Sequence, residues 1–289
     1  MKKSTIKKNI IEKIGITLVS LSTLIVITSL VIIFFDIISK GYSVISFDFF
    51  TTFPKKNMTE GGILPAIVGT FYVTIASAIF SVPFGIMAGI YLSEYAKTNK
   101  FTTLIKATIK NLAGVPSIVY GLFGLGLFVT GLGFGESVLS AGITLGLLVI
   151  PVIITATEEA LKRVPDSYRD ASIGLGATKW QTIKKVLLPS AGPGIMTGII
   201  LSIGRAAGET APILFTGAAF YLNSLPGSIF DKFMALPYHI FTLSTQHAQI
   251  SKVRPIAYGS TLVLIIIVFL LSSIAFFLRL KLRRFGGNK

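Results

Sequence analysis

The sequence predicts an all-α polytopic membrane protein with six transmembrane helices and both termini on the cytoplasmic side. Three observations carry this. The 289 residues are 52% hydrophobic and only 13% charged, with a mean hydropathy of +0.77, values foreign to a soluble domain. Long uncharged runs alternate with basic segments, and the basic residues are distributed unequally between the two sides those runs define.

The uncharged runs cover residues 14–35, 61–93, 111–135, 137–157 and 255–278; a sixth joins 186–204 to 210–230 around a short charged segment. Each is long enough to cross a hydrocarbon core ~30 Å thick as a helix. Lys2, Lys3, Lys7, Lys8 and Lys13 precede the first run, as in a secretory leader. That run is longer than a leader's apolar core and lacks a small-residue cleavage site, so it is read as a retained span. With the N-terminus inside, 20 Lys and Arg fall on cytoplasmic segments and six on external ones, the asymmetry that sets orientation. Residues 1–60 form an N-terminal tail, first helix and first external loop. Residues 61–289 form the membrane core, with a long cytoplasmic loop at 158–190.

The net charge of +15 reflects this topology. Lys and Arg lie in loops and tails rather than in a patch interleaved with aromatics, so no nucleic acid is expected, and membrane lipid is the surrounding partner. There is no Cys, hence no disulfide or thiol chemistry. His239 and His247 have no carboxylate at metal-ligand spacing, so no metal is expected. The glycines at 121, 124, 126, 131, 133 and 135 neither follow a strand nor open a helix as a phosphate-cradling loop would; helix packing and an external turn explain them. No Gly-Lys dipeptide occurs, which excludes a Walker A loop. With no His-Glu-x-x-His and no nucleophile elbow, the chain is not expected to be an enzyme or to carry a cofactor.

The short charged segment is Gly204-Arg205-Ala206-Ala207-Gly208-Glu209-Thr210. A helix beginning near Gly194 would put Arg205 roughly 16 Å deep, about the bilayer midplane. A charge there is costly and marks a substrate or ion path. The spacing of four brings Arg205 and Glu209 to one helix face, where they can pair. Gly194, Gly198, Gly204 and Gly208 recur at close-packing intervals. Pro212, inside the predicted span, would leave the Gly208 carbonyl without its partner and kink the helix.

In the cytoplasmic loop, Pro165 and Asp166 read as a helix start and Gly174 and Gly176 as its break. Thr178 and Gln181 form a capping box for a second short helix that Pro189 ends. Within it, Asp170-Ala171-Ser172, then Gly176, Val186 and Leu188-Pro189 match in spacing the EAA loop, Glu-Ala-Ala, three residues, Gly, nine residues, Ile, one residue, Leu-Pro. Asp replaces Glu, Ser the second Ala and Val the Ile. The chain thus resembles the permeases of binding-protein-dependent ABC importers, in which this loop is a coupling helix docked on a separate ATPase. Gly61-Gly62-Ile63-Leu64-Pro65, the segment Asn111 through Gly121, and Gly204 through Ala211-Pro212 resemble the phosphate-specific branch, in its PstA-type subunit.

That resemblance implies a type I ABC-importer permease core and import of inorganic phosphate. Its partners would be a second, unlike permease subunit, two ATPase subunits and an external phosphate-binding protein. It implies that Arg205, Glu209 and Thr210 line the substrate path. Asp170, Gly176 and Trp180 would contact the ATPase together with the rest of the matched loop. The alternatives are the same architecture serving sulfate, molybdate or another substrate, and an ion-coupled carrier.

Overall fold

A computed structural model of the chain describes residues 2–286; Met1 and residues 287–289, the outermost ends of the two basic tails, lie outside the described residues. A long first helix, α1 (Lys2–Gly41), leads to α2 (Phe47–Thr51) and a small hairpin of β1 (Pro54–Lys55) and β2 (Glu60–Gly61). Next come α3 (Leu64–Ile90), prolonged by a wide π-helical turn at Tyr91–Tyr95, and α4 (Lys100–Leu112). Then follow α5 (Ser117–Gly124), prolonged by a π-helical segment at Leu125–Gly131, and α6 (Val138–Lys162). The loop that the distribution of Lys and Arg assigns to the cytoplasmic side holds α7 (Asp166–Gly174) and α8 (Lys179–Thr182). The latter runs through a π-helical turn at Ile183–Leu187 into α9 (Leu188–Gly208); α10 (Ala211–Leu214), α11 (Leu236–Thr245) and α12 (Ile250–Gly286) complete the fold. Five continuous helices are long and apolar enough to cross a membrane, and the bent pair Lys100–Leu112 and Ser117–Gly131 makes a sixth candidate.

The core is α3 against α6, with α9 across both. Small residues set these approaches, because apolar burial does not drive helices together in lipid and close packing does. Gly85 and Gly89 of α3 lie against Ile153 and Thr157 of α6. On an adjoining side of α6, a Cβ at Gly194 would stand 2.7 Å from that of Ala160, and Gly198 lies against Ala156. One apolar cluster fills the cytoplasmic half around Leu161, Ile183 and Leu187. A second, around Met58, Ile63, Met234 and Leu243, fills the external half. The free amides at the start of α6 are capped by the external loop: Ser137, Val138 and Leu139 donate to the carbonyls of Thr216, Asp231 and Ile229. This satisfies donors that a helix start otherwise leaves open. Helix α1 stands apart, with its apolar residues exposed from Ile14 to Ile38 and its end, Gly41, against Tyr258 of α12.

Three local expectations are corrected. The run at 111–135 is not one straight helix. Pro116 disfavours helix at the residue before it, the chain turns by 99°, and α4, carrying Lys100, Lys106 and Lys110, lies across the direction of α5. Pro189 does not end a helix. The wider π-helical turn at Ile183–Leu187 directly before it accommodates the proline ring and its missing N–H, so the helix continues through Pro189 into α9. The helix bearing Arg205 therefore starts at Lys179, not near Gly194. Finally, that helix does not run through Pro212. It stops at Gly208, Glu209 is extended (φ −75°, ψ 133°), and Pro212 sits in the first turn of α10. A proline that cannot donate to Gly208 starts a new helix instead of kinking the old one.

Two stability predictions follow from this packing. Gly198→Val forces α9 off α6 and should cost about 1–3 kcal/mol, read as a lower apparent melting temperature of the detergent-solubilised chain. Gly192→Val, where a Cβ meets nothing within 4 Å, serves as the control and should leave it unchanged. Separately, His239 of α11 is fully buried, its two ring nitrogens are without hydrogen-bond partners, and burial pushes its pKa down from 6.5 to about 4. The folded chain holds it neutral while an unfolded chain protonates it below pH 6.5. Stability is therefore intact above pH 6.5 and is lost as pH falls toward 4, by up to about 3 kcal/mol. His239→Phe should flatten the pH 7.5 to 4.5 stability profile; an equally steep profile in that variant would discount this histidine.

Candidate translocation site and coupling surface

Arg205 lies on the last turn of α9 and Glu209 just beyond its end. The Arg205 Nε donates to Glu209 Oε1 at 3.2 Å, and the side chains are 41% and 18% exposed. Depth follows from the neighbours. Gly198, two turns earlier, meets Ala156 near the cytoplasmic end of the uncharged run in α6. Gly204 meets Val268 and Ser272, close to the middle of the uncharged run 255–278 in α12. The pair thus lies about level with the middle of the uncharged run in α12, well beyond the start of α9. Ala206 and Ala207 are buried while Arg205 and Gly208 face outward, so the guanidinium points away from the chain's own core.

Among the described residues, Arg205 spends only its Nε on a hydrogen bond. The planar outer edge of the guanidinium, with both terminal nitrogens, is free for an oxyanion, which it can hold by two parallel bonds. Thr210 is half-buried at the start of α10 and its side chain makes no capping bond. The carbonyls exposed by the helix break lie beside it. The sequence did not suggest Tyr120 here, yet it lies within electrostatic reach of Arg205, its hydroxyl donating to the Leu112 carbonyl at 3.0 Å. Its helix α5 packs on α10, with Gly121 pressed against Ala211 and Pro212. Of the glycines named from the sequence, Gly194 and Gly198 pack on α6 and Gly204 touches α12. Gly208 has nothing within 4 Å, so the expected packing role fails there within this chain: the helix is ending and its backbone faces open space.

At the cytoplasmic end, α7 and α8 meet across a turn. Gly176 has φ +82°, a conformation costly for any residue with a Cβ, and the Thr178–Gln181 capping box is complete, with both reciprocal bonds formed. Asp170, Ala171 and Trp180 are exposed, and Ser172 shares a hydrogen bond with Thr182 at 2.9 Å. Val186 and Leu188 instead pack inward on the cytoplasmic cluster, and Pro189 is exposed at the start of α9. These three hold the platform rather than its outer face. Tyr168, Ile173, Leu175 and Trp180 are exposed apolar side chains on these two helices and the turn between them, Leu175 being 90% exposed. Leu175 was missed in the sequence, where an apolar residue between Gly174 and Gly176 is the signal that marks it. No group of His, Cys, Asp or Glu suited to a metal occurs among the described residues.

Comparison with known proteins agrees with this architecture. Residues 81–284 match the family described as binding-protein-dependent transport system inner membrane component. The chain is 35% identical over 272 residues to the probable ABC transporter permease protein YqgI of Bacillus subtilis, covering 90% of this chain and 92% of that one. It is 39% identical over 252 residues to the phosphate transport system permease protein PstA of Mycobacterium leprae, covering 86% and 81%. Among solved structures, an inward-facing methionine ABC transporter, MetNI, matches with a TM-score of 0.60 at 19% identity, covering 76% of this chain and 97% of that one. That likeness concerns the fold. An EAA-spaced loop on paired cytoplasmic helices, carried by a core of this shape and matched over most of its length, makes this chain a member of the binding-protein-dependent transport system inner membrane component family.

Proposed function

We propose that the chain is a permease subunit of an ATP-driven importer of inorganic phosphate. The observation that carries this is Arg205: a guanidinium at mid-depth, turned from its own core, with its outer edge unspent. Phosphate is compact, strongly hydrated and carries between one and two negative charges at neutral pH. Entering an apolar bundle, it must exchange water for donors of fixed geometry. Arg205 supplies two such donors, stays protonated at any working pH, and Thr210 adds a third group. Glu209 pairs with Arg205 when the path is empty. That limits the cost of an uncompensated charge and competes with the anion, so that binding stays weak enough for release. The 39% identity to a relative named as a phosphate transport permease supports the substrate.

The apolar patch of Tyr168, Ile173, Leu175 and Trp180, with Asp170 beside it, suits docking on an ATPase subunit. A patch of this kind on a water-facing protrusion marks an interaction site. The outward-facing side of Arg205 and the free edge of Gly208 suit a second, unlike permease subunit, the path lying between the two chains. An external phosphate-binding protein would deliver the substrate to the segment between α10 and α12.

Radiolabelled phosphate uptake at low external phosphate, in cells lacking the chain and in cells with it restored, tests the reading; excess sulfate is the competitor. Uptake that depends on the chain and ignores sulfate is expected. Unchanged uptake, with redundant carriers removed, would reassign the substrate. Arg205→Gln should lower uptake roughly 100-fold, the scale of losing a charged hydrogen-bonding partner, with the complex still assembled. Normal uptake by that variant removes Arg205 from the path. Gly176→Val strains the turn by about 1–2 kcal/mol and should depress phosphate-stimulated ATP hydrolysis while membrane insertion stays intact. Gly176→Asn, which tolerates a positive φ, should recover most of it.

A further inference from the structure

Helices α7 and α8 grip the cytoplasmic end of α3 at two points. From α7, Arg169 reaches the π-helical turn that ends α3, where its Nη2 donates to Glu94 Oε1 at 2.9 Å and its Nε approaches Oε2 at 3.4 Å. From α8, the Lys179 ammonium lies 4.7 Å from the centre of the Tyr95 ring in the same turn. The Glu94 side chain is only 8% exposed and that of Arg169 20%. Arg169 also caps the end of α6, donating to the carbonyls of Leu161 at 3.1 Å and Val164 at 3.0 Å, while Asp166 holds its Nη1 at 3.0 Å. Nothing in the loop pattern that aligns Asp170, Gly176 and Leu188 requires an arginine at 169 or an acid at 94.

The other end of α3 is fastened to the external segment. Thr70 Oγ1 accepts the Leu236 N–H at 2.8 Å in a buried site, and Gly69 lies against the Met234 carbonyl. Between these fastenings, from Thr70 to Glu94, α3 and its final turn run as one continuous helix, about 36 Å at helical rise. A packed helix fixed at both ends transmits displacement as a rigid element. The π-helical turn at Tyr91–Tyr95 turns Glu94 onto the loop at the point where α3 stops. A buried ion pair is weak evidence for stability. One that joins two elements through charge-assisted bonds specifies their relative position instead.

We propose that the Glu94–Arg169 pair is the joint through which motion of α7 and α8 reaches α3, so that the coupling loop and α3 move as one body during the transport cycle. Glu94 and Arg169 are positioning residues, and they touch neither substrate nor ATPase. The proposal rests on the reading of the chain as a permease driven by separate ATPase subunits, but not on the identity of the substrate.

Two measurements on the assembled complex in proteoliposomes test it. In the first, Glu94→Gln and Arg169→Gln should each lower phosphate transported per ATP hydrolysed roughly ten-fold, within the range of coupling changes made by single residues, with basal ATP hydrolysis unchanged. Arg169→Lys, which keeps a cationic donor toward Glu94, should retain more of the ratio than Arg169→Gln. Normal ratios in the assembled Gln variants, or a Lys variant no better than Gln, overturn the joint. The second uses the absence of native cysteine in this chain. Spin labels at Met87→Cys on α3 and Ser167→Cys on α7, both at exposed positions, report the distance between the two bodies, with partner subunits freed of cysteine. That distance should be the same in nucleotide-free and vanadate-trapped complexes, and should broaden and shift between them in Glu94→Gln. A change of a helical turn, ~5 Å, between states of the chain with its ion pair intact overturns the proposal. This holds even if the substituted variants fail to assemble, and the distance is readable even if phosphate proves not to be the substrate.

Discussion

The constraint on which the rest depends is that lipid offers no water to a broken helix or a bare charge. At the end of α9 the chain meets both difficulties together, and each eases the other. Pro212 cannot extend the helix, so α9 stops at Gly208 and Glu209 swings into extended backbone. The break lets the carboxylate fold back on Arg205, which supplies the counter-charge an intramembrane guanidinium needs. It also leaves helix-end carbonyls that must face a polar region. A continuous helix would carry the same pair by its i,i+4 spacing, but without free backbone groups beside it. Charge and break together define a polar point in an apolar bundle, and the fold must turn that point away from lipid. Among the described residues this chain leaves the Arg205 side chain uncovered, and the proposed second subunit would complete the enclosure there.

Proximity in sequence made some of this readable. Hydrophobic runs and their charged boundaries located five continuous spans, and the Thr178–Gln181 box and the glycine at 176 located the paired cytoplasmic helices, because caps and positive-φ turns are local chemistry. The helix start near Gly194 from which the sequence places Arg205 is incorrect. The helix begins at Lys179, well before Gly194, but its lower half lies below the packing level of Ala156 and Ala160 and adds no depth in the bilayer. What could not be read was non-local. Three π-helical stretches shift the helical register without any residue that announces them, and one of them absorbs Pro189. Glu94 and Arg169, 75 positions apart, carry no spacing signal, and neither do Tyr120 and Arg205. The bend at Pro116 was legible as a proline, but its angle depends on what α4 packs against: Lys106 of α4 reaches Glu158 of α6 at 2.7 Å.

The placement of these ion pairs separates two kinds of charge. Arg205 meets its partner with one nitrogen and is 41% exposed, which keeps the pairing exchangeable. Arg169 uses its guanidinium nitrogens on two carboxylates and two backbone carbonyls, leaving little to offer a ligand. The same residue type is thus spent in opposite ways. At mid-depth its donors are held open, and at the cytoplasmic end they are consumed in fixing elements to one another. A guanidinium with all donors satisfied is part of the scaffold, while one with its outer edge idle is available for an anion.

Helix α9 gives these two ends a mechanical relation. Residues Lys179–Gly208 form one helical rod, about 45 Å long, whose first turn carries Trp180 on the coupling surface and whose last turn carries Arg205. Any displacement imposed at the coupling surface is therefore delivered to the charge site by covalent continuity alone. The second rod, α3, is held to the same surface only through side chains, and both rods pack on α6, α3 through Gly85 and Gly89 and α9 through Gly194 and Gly198. The glycine–alanine contacts of α9 present little relief and can slide, whereas on α3 the Ile153 and Thr157 side chains seat in the notches left by Gly85 and Gly89. Rods anchored on one cytoplasmic platform and bearing on a shared helix can change tilt together. In that arrangement the break at Glu209 is where a change in tilt of α9 alters the setting of the pair, because beyond it α10 is held separately, by the pressure of Gly121 on Ala211 and Pro212. On the proposed function, the distance between a moving Arg205 and a Glu209 tethered to α10 would vary with the state of the coupling surface, and with it the competition between Glu209 and an anion for the guanidinium.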